Sequence, residues 1–279
     1  GLALIAFENG NDVLARNELD ILTDSEEHAD EAYFYLGKLA QRQGKAEDAI
    51  AAYENVPQGP YHLQALAEIG NLLMQRGLPD ESHRRFDEAR SRLPEQRIPL
   101  YQLEAELLSE HKDLDGARAM LDEALRQTPG NTHLLLSRAL IAERQNQMEQ
   151  FEADISEVLR SEPDNASALN ALGYTLLERT SRIDEAEAYI QRAHALKPDD
   201  PAILDSLGWL RFKRGDIEGA LQLLRRAYRM FADDEIAAHL GEVLWVRGQR
   251  SEARRLWSDA LRQHPASNHI PRTRLRLDP

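Results

Sequence analysis

The side chains in this sequence that could do chemistry are scattered singly along the chain. It has nine histidines, and the nearest pair, His264 and His269, are five residues apart and do not share a helix face. Cysteine is absent, which excludes disulfides and thiolate metal sites. The sequence contains no HExxH, GxSxG, GxGxxG or P-loop pattern. It therefore predicts no intrinsic enzyme activity, no metal and no cofactor.

Two large rings are the next candidates, because they could bind a ligand instead of transforming one. In "SLGWLRFKRG" (206–215), Trp209 and Phe212 are three residues apart and share one face of a helix. Such rings either pack in a core or present a surface for another molecule. The helices that carry them decide between these alternatives.

Composition favours helices. The chain has 279 residues, of which 42% are hydrophobic and only 6% aromatic. Ala, Leu, Glu and Arg dominate, and β-branched residues are sparse. No apolar run approaches the roughly 20 residues that cross a bilayer.

Charge is distributed unevenly between the two halves. Residues 1–165 hold 16 Lys and Arg against 32 Asp and Glu, a net charge of −16, while residues 166–279 hold 18 against 16, a net charge of +2. An acidic first half argues against nucleic acid as a partner. The split predicts either different partners for the two halves or simply solvated helix faces.

Small residues and unit-closing residues recur with a period near 34 residues. The stretches 35–56, 68–89 and 239–260 align without a gap. A mostly small residue early in each second helix falls at Ala49, Ser82, Ala117, Phe151, Ala186, Ala220 and Ala253. The residue closing each unit falls at Tyr61, Pro94, Pro129, Pro163, Pro198, Ala232 and Pro265. Both series have the same spacings, which indicates a repeated pair of amphipathic helices.

This repeat resembles the tetratricopeptide (TPR) family, whose units have two helices and often a terminal proline. The best match is "ALNALGYTLLERTSRIDEAEAYIQRAHALKPDD" (168–200). The resemblance implies an all-α fold, a right-handed α-solenoid of stacked helical hairpins. We assign seven units within 30–267, at 30–62, 63–97, 98–131, 132–165, 166–200, 201–233 and 234–267. Residues 1–29 are interpreted as the end of a preceding, truncated repeat, and 268–279 as a C-terminal tail that is either disordered or docks as a cap.

Glycines are predicted to end the first helices in the left-handed conformation, at Gly44, Gly77, Gly215 and Gly248. The unit 132–165 departs from this pattern, because Asn146 replaces the turn glycine and Phe151 the small residue, so we expect distorted packing there. The unit 166–200 has one extra residue in "RTSR" (179–182). Further aromatic residues fall on packing positions and are predicted to be core: Tyr33, Tyr53, Phe86, Tyr101, Tyr228 and Trp257.

The family register implies which residues line the concave surface, where TPR proteins usually bind peptides or partner helices. It places Trp209 and Phe212 in that groove, although Phe212 also fits a core position. The predicted groove residues are Asn170, Tyr174, Leu177, Asp205, Trp209, Phe212, Glu242 and Trp245. We expect an apolar-anchored peptide or helix there, with the two carboxylates disfavouring acidic ligands. This hypothesis requires that replacing both tryptophans leaves the fold intact.

A second, more polar groove is implied for the first half. Its predicted lining includes Phe34, Lys38, Asn71, Met74, Gln102 and Glu106. It either takes a basic segment of a partner or is solvated. Lys38 and Asn71 are too few to form a carboxylate clamp for a C-terminal tail.

The stretch 170–228 is more specific, because it resembles the TPR outer-membrane lipoproteins of Gram-negative bacteria. That resemblance implies a periplasmic, outer-membrane-anchored adaptor. It would bring a carboxyl-terminal processing protease together with substrates such as peptidoglycan hydrolases. The chain begins inside a helical pattern without an initiator Met, so a targeting signal and a lipid anchor are expected upstream. Membrane contact is expected only through that anchor.

Two other functions remain open from the sequence. The repeats could be a substrate-docking domain of a larger enzyme, such as a glycosyltransferase, or a cytosolic assembly scaffold. The sequence upstream of Gly1 would discriminate among these hypotheses.

Overall fold

The computed structural model describes residues 1–25, 27–265 and 267–277, and every regular element in those ranges is a helix. The chain separates into two compact units, residues 1–146 and residues 147–279. We call them unit 1 and unit 2, and each contains several of the repeats. Unit 1 contains α1 Leu2–Glu8, α2 Asp12–Leu22, α3 Ala29–Arg42, α4 Ala46–Tyr53, α5 His62–Gln75, α6 Pro79–Arg92, α7 Arg97–Glu110, α8 Leu114–Gln127 and α9 Thr132–Arg144, with a 3₁₀ turn at Pro94–Gln96. Unit 2 contains α10 Met148–Ser161, α11 Ala166–Arg179, α12 Ile183–Leu196, α13 Pro201–Lys213, α14 Ile217–Met230, α15 Asp234–Val246, α16 Arg250–Gln263 and α17 His269–Leu277.

Consecutive helices pair as hairpins within each unit. In unit 1 the pairs are α1 with α2, α3 with α4, α5 with α6, and α7 with α8. In unit 2 they are α11 with α12, α13 with α14, and α15 with α16. Neighbouring hairpins of the same unit also pack on each other, so that in unit 2 α12 contacts α13 and α14 contacts α15. The predicted all-α fold of stacked TPR hairpins is confirmed.

The small residues that recur in the sequence lie in the core of these hairpins. Their exposed fractions are 2% or less at Ala49, Ser82, Ala117, Phe151, Ala186, Ala220 and Ala253. The first helix of a hairpin also needs a small residue where it faces the second. At Gly208 of α13, an added Cβ would lie 2.8 Å from Cγ of Leu224 in α14. Even Phe151, the large exception, is fully buried.

Left-handed residues end several first helices as the pattern predicts. Gly44, Gly77, Gly215 and Gly248 have φ of +72°, +73°, +85° and +93°. Asn146 adopts the same conformation with φ of +59°. Lys112 also does so at +66°, a position that the sequence pattern did not single out. Helix α11 ends differently, because Thr180 in the longer turn is extended and its hydroxyl donates to the carbonyl of Leu176 at 2.7 Å.

The start of α13 is set by its own sequence. The Asp200 carboxylate accepts from the backbone N–H groups of Ala202 and Ile203 at 3.0 and 3.2 Å. Pro201 occupies the first turn, where its missing N–H has no helical partner. These two residues fix the point from which Asp205 and Trp209 are presented.

The aromatic residues predicted to be core divide into two groups. Tyr53, Phe86 and Trp257 are at most 2% exposed, which confirms the prediction. Tyr33, Tyr101 and Tyr228 are half-buried at the margins of the core. Over the described ranges, the helices lack the length and apolarity of a membrane span.

Candidate functional site

Three first helices of unit 2, α11, α13 and α15, lie side by side. We call the surface that they form the first-helix face of unit 2, represented by Tyr174, Asp205, Trp209, His239 and Glu242. It carries most of the residues predicted for the main groove.

Trp209 lies inside this face, with an exposed fraction of 2%. Its indole stacks on His239, with ring centroids 4.2 Å apart and an interplanar angle of 18°. It also stacks on Phe212, with centroids 5.0 Å apart and an angle of 30°. The indole Nε1 donates to the Glu178 carboxylate at 2.6 Å. A buried indole needs such an acceptor, so Trp209 is a fully satisfied packing residue.

His239 and Asp205 form a buried ion pair, with Nδ1 of the imidazole 2.9 Å from Oδ2 of the carboxylate. Burial alone would lower the pKa of His239, but the charge and hydrogen bond of Asp205, assisted by Glu235 and Glu178, raise it. The Asp205 carboxylate therefore favours the protonated form of the imidazole between helices α13 and α15.

Tyr174 links α11 to α15. Its hydroxyl donates to the Glu235 carboxylate at 2.6 Å and lies 3.3 Å from Nε2 of His239. Burial, together with the negative charge of Glu235, raises the pKa of Tyr174, so the phenol stays neutral and keeps its donor. This contact joins α11 to α15 beside the Asp205–His239 pair.

Trp245 packs within its own hairpin. Its ring stacks on Trp257 of α16 with centroids 5.8 Å apart, and its exposed fraction is 8%. The guanidinium groups of Arg250 and Arg254 each lie 5.0 Å from its ring centroid. Both arginines belong to α16, so this one helix contacts the Trp245 indole through Trp257 and through two guanidinium groups.

The prediction of an exposed aromatic groove is wrong for most of its residues. Exposed fractions are 4% for Leu177, 5% for Asp205, 2% for Trp209, 5% for Glu242 and 8% for Trp245. Only Asn170, Tyr174 and Phe212 are partly exposed. Trp209 is buried because His239 of α15 stacks on it, and Trp245 is buried because Trp257 of α16 stacks on it. A role of these positions in binding remains a prediction.

The C-terminal tail forms α17 and lies on α15. Ile270 is fully buried and Thr273 is 8% exposed. The Arg276 guanidinium pairs with the Glu242 carboxylate, and His269 Nδ1 lies 3.7 Å from Glu235. Burial raises the pKa of Glu242 even though the Arg276 charge opposes that shift. The docked helix therefore covers one of the predicted groove residues.

The residues predicted for the second groove make local contacts in unit 1. Lys38 pairs with Glu68. Phe34 is 6% exposed and stacks on Tyr61 at 5.0 Å, so its prediction as an open groove residue is wrong because Tyr61 covers its ring.

The other residues of that set lie further along unit 1. Asn71 Oδ1 lies 2.8 Å from His111 Nε2, and the Gln102 amide donates to the Ser137 hydroxyl at 3.2 Å. Met74 packs at the edge of a core cluster, and Glu106 is exposed, where its charge contributes to a raised pKa of Glu110 after the larger effect of burial. Whether these residues bind a partner stays a prediction.

Sequence comparison identifies the repeat. A profile described as tetratricopeptide repeat matches residues 1–62, 103–157, 152–201 and 179–235, which together cover more than half of the chain. The chain belongs to the tetratricopeptide-repeat family. The TPR repeat-containing protein PA4667 of Pseudomonas aeruginosa is 42% identical over 213 residues, 76% of this chain and 36% of that protein. The chain thus spans about a third of the length of this curated TPR relative.

Solved TPR structures share the fold at low sequence identity. A tetratricopeptide repeat protein from Parabacteroides merdae is 15% identical with a TM-score of 0.58, covering 87% of this chain and 96% of that one. Yeast Tom70 is 18% identical with a TM-score of 0.61, covering 89% of this chain and 54% of that one. A chain of the APC/C hetero-tetramer Cut9–Hcn1 is 16% identical with a TM-score of 0.60, covering 95% of this chain and 54% of that one. These likenesses concern the TPR fold alone.

Two further kinds of feature could mark a site in the described residues, namely clusters of metal-binding side chains and surface depressions. In the residues that the structure describes, no group of three or more His, Asp and Glu side chains is placed to hold a metal ion. Two open depressions of about 480 and 260 Å³ lie beside α14 and share Arg225 and Arg229. None of the residues predicted for either groove lines them.

Sequence reasoning missed His239, Glu178, Glu235 and Arg276, whose charges organise the first-helix face. The sequence did contain a signal, because two of these residues lie one TPR period from the residue of opposite charge that they contact. His239 lies 34 residues after Asp205, and Arg276 lies 34 residues after Glu242. Opposite charges one period apart on first helices indicate contact between neighbouring repeats.

Proposed function

We propose that this chain is a non-catalytic scaffold that holds a protein partner against the first-helix face of unit 2. The observation that carries the proposal is α17, a short helix that lies on α15 through a buried isoleucine and an arginine–glutamate pair. The face therefore accepts a polypeptide helix by combining apolar burial with opposite charge. Membership of the TPR family supports this, because TPR repeats bind protein or peptide partners.

More narrowly, we propose that the protein is a periplasmic adaptor attached to the outer membrane by a lipid anchor outside this sequence. It would bring a carboxyl-terminal processing protease together with substrates such as peptidoglycan hydrolases. Support comes from the stretch 170–228, which resembles TPR outer-membrane lipoproteins of that class. The bacterial relative from Pseudomonas aeruginosa, similar over 76% of this chain, is compatible with it.

A reconstituted reaction tests the adaptor role. A purified carboxyl-terminal processing protease and a peptidoglycan hydrolase are incubated with and without this chain, and loss of the hydrolase is followed on gels. We expect faster loss with the chain present, because holding two proteins together raises their effective concentration. Equal rates would overturn the adaptor role.

Matched charge reversals test the face. Glu242→Lys changes a carboxylate that is 5% exposed on the first-helix face. Glu218→Lys makes the same change on α14, where the side chain is 71% exposed and pairs with Arg247 at 2.9 Å. We expect only Glu242→Lys to reduce the stimulation. If both variants reduced the stimulation equally, the first-helix face would not be the surface that binds the partner.

Fractionation of cells that express the natural full-length protein tests its location. We expect it in the outer-membrane pellet, from which detergent releases it but high salt does not. A cytoplasmic location would instead favour the cytosolic scaffold.

A further inference from the structure

Helix α17 and helix α15 have matching spacings of basic and acidic residues. Glu235 and Glu242 are seven residues apart on α15, and His269 and Arg276 are seven residues apart on α17. His269 faces Glu235, and Arg276 faces Glu242. The Arg276–Glu242 contact is the closer of the two. Seven residues are close to two helical turns, so α15 presents its two acidic residues, and α17 its two basic residues, on one side.

The docked side of α17 also supplies an apolar contact between those charges. Ile270 is fully buried and Thr273 nearly so, whereas Leu275 is 71% exposed. The residues that contact α15 are therefore a basic residue, an isoleucine directly after it and a second basic residue seven positions after the first. This is the pattern of a short basic amphipathic helix.

Several features limit the attachment of α17 to α15. The side chains of His269 and Arg276 are 49% and 55% exposed, so solvent screens their ion pairs. The helix has nine residues, fewer than an isolated helix needs to be stable in water. In the described residues α17 contacts α15 far more than α16, unlike α13 and α15, each of which packs on the second helix of the preceding hairpin. Its folding therefore depends on a small docking surface.

We propose that α17 is an intramolecular competitor that occupies a docking site for a basic amphipathic helix of a protein partner. When the partner binds, α17 leaves α15, and the carboxylates of Glu235 and Glu242 pair with the basic residues of the incoming helix. An apolar side chain of that helix fills the site of Ile270. This rests on the proposed scaffold function and names the chemistry of its ligand.

The test uses a fluorescein-labelled peptide of residues 268–277 as the probe, with binding measured by fluorescence anisotropy. We expect the intact chain to bind it at least tenfold more weakly than a chain that ends at residue 267, because α17 competes in cis. The intact chain with Arg276→Glu should also bind it more tightly than the wild type, which keeps the test valid if truncation impairs folding. Equal affinity of all three proteins would overturn the proposal.

A charge exchange provides the matched control. In the intact chain, Glu242→Arg combined with Arg276→Glu restores the internal pair with reversed sign. We expect this variant to bind the wild-type peptide no better than the wild-type chain, and to bind a peptide with Arg276→Glu when α17 is removed. Tight binding of the wild-type peptide to the exchanged chain would contradict the charge pairing.

The same variants separate this inference from the proposed function. If the protease binds the intact and truncated chains equally, competition by α17 is wrong while the scaffold function stands. If neither chain binds the protease but the peptide still binds the truncated chain more tightly than the intact chain, the adaptor role is wrong. The competition by α17 then still stands.

Discussion

The imidazole of His239 lies face to face with the indole of Trp209, with ring centroids 4.2 Å apart. The same imidazole pairs with Asp205 through Nδ1 at 2.9 Å. A cation over an indole face is stabilised by the ring electrons, and the carboxylate stabilises the same charge from the edge. One residue of α15 thus joins two residues of α13, and this contact between neighbouring repeats closes the surface where sequence reasoning expected a groove.

The Asp205–His239 pair predicts a pH-dependent stability. Because folding raises the pKa of His239, the folded chain binds this proton more tightly than the unfolded chain. The stabilisation is full below the unfolded value of about 6.5 and is lost as the pH rises through the folded value. We expect the difference in free energy of unfolding between wild type and His239→Gln to shrink between pH 6 and pH 9, as measured by urea unfolding.

The Asp205→Asn variant serves as the control for that measurement. It removes the charge that raises the pKa of His239 while keeping the size of the side chain. We expect its stability to show much less decline over the same range. A wild-type slope retained in Asp205→Asn would assign the pH dependence to other groups.

Replacement of Trp209 tests whether its ring is core. We expect Trp209→Ala to lower the free energy of unfolding by about 3–5 kcal/mol, because it removes a buried ring and leaves a cavity. Phe231→Ala is the comparison, since Phe231 is 60% exposed and a surface change costs about 0.5 kcal/mol or less. Similar urea midpoints for the two variants would show that the Trp209 ring is not part of the core.

A second buried pair lies in unit 1, where the Arg90 guanidinium contacts the Glu104 carboxylate at 2.5 Å. Their exposed fractions are 4% and 2%. We expect Glu104→Leu to cost about 3–5 kcal/mol, because it leaves a buried cation without its main partner. The double variant Arg90→Met, Glu104→Leu should be more stable than Glu104→Leu alone. A double-mutant cycle by urea unfolding measures this, and purely additive losses would contradict the coupling.

Left-handed residues at helix ends offer a graded series. Lys112→Gly removes the steric cost of a side chain at φ of +66°, and we expect a gain of about 0.5–1 kcal/mol. Asn146→Gly should gain less, because asparagine tolerates this conformation. Gly77→Ala should instead lose about 1 kcal/mol. Thermal unfolding ranks the three, and a loss in Lys112→Gly would show that the lysine makes a compensating contact.

Local chemistry made much of the fold predictable. The period near 34, the small residues from Ala49 to Ala253 and the turn glycines each report on a single hairpin, which the chain forms from neighbouring residues. The left-handed Asn146 fits the same rule. Lys112 was not predicted, because lysine is not a residue type that favours a positive φ.

The stack of TPR hairpins, and the residue types that recur in each, can be predicted from the amino-acid pattern alone. Which side chains stay exposed follows instead from contacts between helices. Exposure of Trp209, Trp245 and Glu242 depends on His239, Trp257 and Arg276, which come from another helix. A single-helix pattern specifies which face a residue occupies but not what covers that face, since contacts between repeats depend on how neighbouring helices approach each other.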